Sequence, residues 1–129
     1  MAQRPPGDII TSPNNTLIIS PIVKEIYYIR ITNTSGNRIG IRTKKLKTAR
    51  LHIDPPVTVL NNNETTTLKI KTFPYEANRD QLLTRIVFEW INLKNDGEKP
   101  PTFPMNNFFK LFSENPWRRR KNIYIQYNL

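Results

Sequence analysis

Few side chains in this sequence can make or break bonds. The only histidine is His52, and its neighbours Leu51 and Ile53 turn it away from whatever they bury. It reads as a structural or solvated group rather than a general base. Cysteine is absent, which removes thiol nucleophiles and metal sites of the Cys/His type. Gly7, Gly36, Gly40 and Gly97 are scattered, so no glycine-rich loop is available to cradle a phosphate. The carboxylates close in sequence, Glu76 with Asp80 and Asp96 with Glu98, stand among basic residues. They read as solvated loop charges, not as an acid–base pair. These residues predict no enzyme, no cofactor and no small-molecule substrate.

Positive charge is what the chain has in excess. Its 20 Lys and Arg outweigh 10 Asp and Glu, for a net +10. Arg38, Arg42, Lys44, Lys45, Lys47 and Arg50 form one run without an acid among them. Arg118, Arg119, Arg120 and Lys121 form another. Such runs suit an acidic partner, and Arg42, Lys44, Lys45, Lys47 and residues 118–121 are the candidate binding residues. No recognised nucleic-acid motif accompanies them, so nucleic acid is expected only as incidental, salt-sensitive binding.

The elements that must position these charges read as strands. The 129 residues fit one domain over 1–129, with residues 1–8 an irregular leader. Aromatic and β-branched residues dominate a hydrophobic share of 37%, and eleven prolines outnumber four glycines. Thr16 to Ser20 is a short apolar strand. From Glu25 to Asn33 the pattern alternates, with Tyr27, Ile29 and Ile31 on one face. Further strands run over 39–44, 51–53, 68–72, 86–91 and 122–127, separated by turn signals such as Thr34-Ser35-Gly36-Asn37. Met105, Phe108, Phe109 and Phe112 have helical spacing and predict a short helix whose aromatics plug one open end of the core. Seven such strands predict an all-β, immunoglobulin-like sandwich.

The setting is expected to be a reducing one, since no cysteine is present and residues 1–10 lack the apolar run of a signal peptide. No stretch approaches the roughly 20 apolar residues of a membrane span, so no membrane insertion is expected. The sequon-like sites at Asn15, Asn33 and Asn63 then read as chance matches.

Seven motifs in order give the chain a family resemblance. They are Met1-Ala2-Gln3 with Pro5-Pro6-Gly7-Asp8-Ile9 and Ser12-Pro13; Tyr27, Ile29, Ile31 and Asn33 at alternate positions; Arg38-Ile39-Gly40; Asp54-Pro55-Pro56; Arg85-Ile86-Val87-Phe88-Glu89-Trp90; Arg119-Arg120-Lys121-Asn122-Ile123; and Tyr127-Asn128. Each is weak alone. Together they resemble the nematode major sperm protein family over essentially the whole length. The resemblance implies a seven-stranded sandwich, a symmetric homodimer, and nucleotide-independent apolar filaments that drive the crawling of nematode sperm. It implies a place in the cytoplasm and cytoskeleton of the sperm pseudopod, with accessory sperm cytoskeletal proteins as partners. It also implies removal of Met1, acetylation of Ala2, and release as a signal to the oocyte. An apolar edge near the early strands is expected to form the dimer contact, through Leu17, Ile19 and Ile26.

Some positions depart from the family pattern. The loop from Ser20 to Ile26 is about two residues short, and the connection before Trp117 is a few residues long. Val87 and Ile91 place apolar groups where threonine is usual. Lys44-Lys45-Leu46 replaces Lys-Thr-Thr. These differences allow a filament modulator or a non-enzymatic adaptor as the alternative. Related proteins use this domain to capture acidic peptides carrying two phenylalanines, and the basic face here would serve that role.

Overall fold

The computed structural model describes residues 5–45, 50–76, 82–93, 110, 112–113 and 115–128. Nine strands are present among them: β1 (Ile9–Ser12), β2 (Thr16–Ile19), β3 (Glu25–Asn33), β4 (Ile39–Lys44), β5 (Leu51–Asp54), β6 (Val57–Leu60), β7 (Thr65–Thr72), β8 (Arg85–Asn92) and β9 (Arg118–Tyr127). They form two sheets, one in the order β1-β3-β7-β5 and one in the order β2-β9-β8-β4-β6. All pairings are antiparallel except β2 with β9.

Alternation explains the packing. Ile29 and Ile31 of β3, Leu68 and Ile70 of β7, and Ile86, Phe88 and Trp90 of β8 turn into one shared core with Ile39, Ile41 and Ile123. Burying a side chain of this size contributes about 1.5–3 kcal/mol, so this inner face supplies the main drive to fold. Asn33 is a fully buried polar residue beside it. Its amide donates to the carbonyls of Asn37 (2.7 Å) and Leu60 (3.0 Å), and its side-chain oxygen accepts from the Ser35 backbone N–H (3.0 Å). The residue is fully buried, and these bonds satisfy what burial would otherwise leave costly.

The sandwich expected from the sequence is present, with nine strands rather than seven. The two additional strands, β1 and β6, have only four residues each and carry little periodic signal. β9 begins at Arg118, four residues before the expected Asn122. Four consecutive basic residues disguise its first half. Leu17 and Ile19 in β2 are 8% and 5% exposed and belong to the core. This burial is inconsistent with their proposed role in a dimer contact, because β2 turns its odd-numbered side chains inward.

The aromatic plug is also placed differently. Lys110, Phe112 and Ser113 are helical, and Phe112 is fully buried against Val57, Val59 and Ile91. Those three point away from the main core, so Phe112 covers the outer face of the five-stranded sheet instead of closing an end of the sandwich. Ile91 is apolar because this second cluster covers it. Met105, Phe108 and Phe109 lie outside the described residues.

Candidate functional site

The outer face of the five-stranded sheet gathers charge in register. Arg42 on β4 stands opposite Glu89 on β8, and Glu89 stands opposite Arg120 on β9. One carboxylate therefore lies between two guanidiniums. Arg42 Nε donates to Glu89 Oε1 at 2.9 Å, Lys44 Nζ lies 3.0 Å from the same oxygen, and Arg120 donates to Oε2 at 2.8 Å. Glu89 is only 1% exposed. Burial pushes its carboxyl up, and the hydrogen bonds from Arg120, Lys44 and Arg42 outweigh that and hold it down at about 2. The Arg42 guanidinium also stacks 4.6 Å from the centre of the Phe112 ring, joining the charge cluster to the apolar cover.

Strand alternation divides the basic run at 118–121. Arg118 and Arg120 share the outer face with Glu89. Arg119 takes the opposite orientation, pairs with Asp8, and lies 5.7 Å from the Trp90 ring. Lys121 donates to the side chain of Asn14 at 3.0 Å. Asp8 is held in turn, since its carbonyl accepts from the Thr34 hydroxyl at 2.9 Å, and the Gly7 carbonyl accepts from the Trp90 indole at 2.9 Å. Arg119 and Lys121 therefore fasten the N-terminal segment. Lys44 and Lys45 border a shallow surface cleft with Thr84, Arg85 and Val87. Lys47 and Ala2 lie outside the described residues.

A different surface lies where the chain crosses between sheets. Ile18, Ile22, Val23 and Ile26 are 54%, 70%, 53% and 46% exposed. β2 is the edge strand of its sheet, with β9 as its one neighbour. Ile26 is exposed at the start of β3 in the other sheet, and Ile18 takes the outward position on β2 between buried Leu17 and Ile19. Sequence reasoning missed Ile18 and Glu89. The signal for Ile18 was β2 alternation, and for Glu89 its even spacing from apolar Val87 and Ile91. Among the described residues, no group of three or more acidic or histidine side chains gathers to hold a metal.

The model of the MSP (major sperm protein) domain matches residues 8–110. Relatives match from end to end. Major sperm protein 2 of Onchocerca volvulus is 35% identical over 135 residues, covering 100% of both chains. Major sperm protein isoform beta of Ascaris suum shows the same identity and coverage. The chain belongs to the major sperm protein family.

This major sperm protein domain also shares its fold with solved structures. WR4, a family member from Caenorhabditis elegans, superposes with a TM-score of 0.65 at 15% identity, over 94% of this chain and 96% of that one. The PapD-like domain 7 of human CEP192 gives 0.57 at 12% identity, over 99% and 90%. Major sperm protein kinship supports a sperm cytoskeletal role in general terms and a non-enzymatic one.

Proposed function

We propose that this protein forms a two-fold homodimer and assembles into nucleotide-independent, apolar filaments that drive the crawling of nematode sperm, in the cytoplasm of the pseudopod. The observation that carries this reading is the end-to-end kinship with major sperm proteins. The exposed aliphatic surface at Ile18, Ile22, Val23 and Ile26 supplies the contact. A two-fold contact sets the same patch against itself, and aliphatic side chains on edge strand β2, the connection after it and the start of β3 can do so without opposing like charges. A second symmetric contact between dimers would then give a filament whose two ends are equivalent. Accessory cytoskeletal proteins would regulate its growth, and an acetylated Ala2 would leave the N-terminus uncharged.

The test is sedimentation of the wild type beside Ile18→Asp, followed by electron microscopy of concentrated protein at raised salt. The wild type should dimerise and form filaments, and the variant should remain folded and monomeric. A wild type that stays monomeric and forms no polymer at any concentration rejects the proposal.

A second reading rests on the cleft beside Lys44, Lys45 and Arg85, which suits the acidic peptides captured by related adaptors. Glu89 already engages Lys44, so such a peptide must compete with an internal carboxylate. Binding there should be weak and lost in salt. Micromolar affinity that survives high salt would favour the adaptor.

A further inference from the structure

The two basic runs that dominate the sequence are largely occupied within the fold: Arg42, Lys44 and Arg120 by Glu89, and Arg119 by Asp8. The opposite face of the molecule differs. On the four-stranded sheet, the outward positions of β3 and β7 carry Arg30, Lys69 and Lys71. Among the described residues, none of these three forms an ion pair. The only acid at an outward position of the four strands is Asp54 on edge strand β5, in register with Lys69 but not ion-paired with it. Three apolar groups share this face and remain open to solvent: Ile10 at 59%, Ile26 at 46% and Tyr28 at 58%.

Register places these residues in rows. Ile26 lies opposite Lys71, and Tyr28 opposite Lys69, so an apolar group and a cation alternate across the two central strands. Arg30 lies opposite Ser12 on one side and Thr67 on the other. Lys69 and Lys71 are two residues apart on one strand, a spacing of roughly 7 Å. An extended polypeptide with a carboxylate at every second residue has the same repeat.

We propose that the open face of the four-stranded sheet, through Arg30, Lys69, Lys71, Tyr28 and Ile10, docks an extended acidic segment of a partner protein whose carboxylates alternate with aliphatic side chains. Charge complementarity selects the acidic partner, and it disfavours a second copy of this chain, whose net charge is +10. The aliphatic neighbours select polypeptide over single-stranded nucleic acid. Nucleic acid binds through several aromatic faces on which bases stack, and this face offers only Tyr28 and His52, on strands separated by β7.

The experiment is fluorescence anisotropy with a labelled peptide of alternating glutamate and valine, eight residues long to match β7. It should bind saturably at low salt. Lys69→Gln with Lys71→Gln should weaken it about tenfold or more, and Tyr28→Ala should weaken it severalfold, with circular dichroism unchanged. Three results would overturn the proposal. One is no saturable binding; another is a loss seen only in Lys44→Ala, which would move the peptide to the opposite face. The third is tighter binding of an oligothymidylate of equal charge that depends on the same lysines, which would assign the face to nucleic acid.

Discussion

Glu89 governs the charged outer face because it is buried while two of its three partners reach solvent: Lys44 and Arg120 are 49% and 60% exposed at the side chain, and Arg42 is 16% exposed. Replacing it by glutamine would leave three cations facing one another, so Glu89→Gln should lower stability by about 3 kcal/mol. Chemical denaturation at neutral pH would measure the change. Its carboxyl is depressed to about 2, so its stabilising contribution is complete above the usual carboxylate range. That contribution is lost as pH falls from the usual range towards the depressed value. The loss should be on the order of 2 kcal/mol, once screening of the exposed partners is discounted. Denaturation midpoints across acid pH should show this slope in the wild type and a flatter one in Glu89→Gln. An identical slope in both would show that other carboxylates control acid stability. Asn33 is a second decisive residue, and Asn33→Ala should cost about 1–3 kcal/mol in chemical denaturation. It removes the side-chain partner of the Leu60 carbonyl and of the Ser35 N–H, while the Asn37 carbonyl keeps the Ser35 hydroxyl.

Elements decide which residues of a run can act together. The long alternating strands β3, β7 and β8 were legible in the sequence because their inward residues recur at every second position over eight or nine residues. Four-residue β1 and β6 were not, and although the equally short β2 and β5 were, a segment of that length owes its extended form mainly to the neighbour it pairs with. The basic residues of the candidate site could also be found from sequence alone. Their grouping could not, because it depends on which strand lies beside β8, and only pairing brings Arg42 and Arg120 to one carboxylate. Leu17 and Ile19 show the same limit. Their apolar character was visible, but whether it faced a partner or the core depended on the sheet above them. At this scale β2 offers a clear contrast. Leu17→Ala should cost about 2–4 kcal/mol by opening a cavity, whereas Ile18→Ala should change stability little. Thermal unfolding of the two variants would check this, and equal costs would place both residues inside. The N-terminal segment is similarly constrained at Gly7, where an added Cβ would meet the Ser35 carbonyl oxygen at 2.7 Å. Gly7→Val should therefore cost about 1–3 kcal/mol and loosen the Trp90 indole contact, which fluorescence can follow.

For the whole molecule, net charge opposes the proposed assembly. Two like charges 10 Å apart in water repel by about 0.4 kcal/mol before screening, and a subunit of +10 brings many such pairs together. The critical concentration for polymer should therefore fall as salt rises towards physiological strength, where the screening length is about 8 Å. Light scattering across a salt series would check this, and polymer favoured by low salt would mean that ion pairs drive the contact instead. The placement of β9 has a consequence for biosynthesis. It lies between β2 and β8, yet it is translated after both. While the chain emerges from the ribosome, those two strands wait with open backbone edges and an unfinished inner face. The five-stranded sheet can close only after β9 has been made, so the nascent chain passes through an adhesive stage at which a holding chaperone would help.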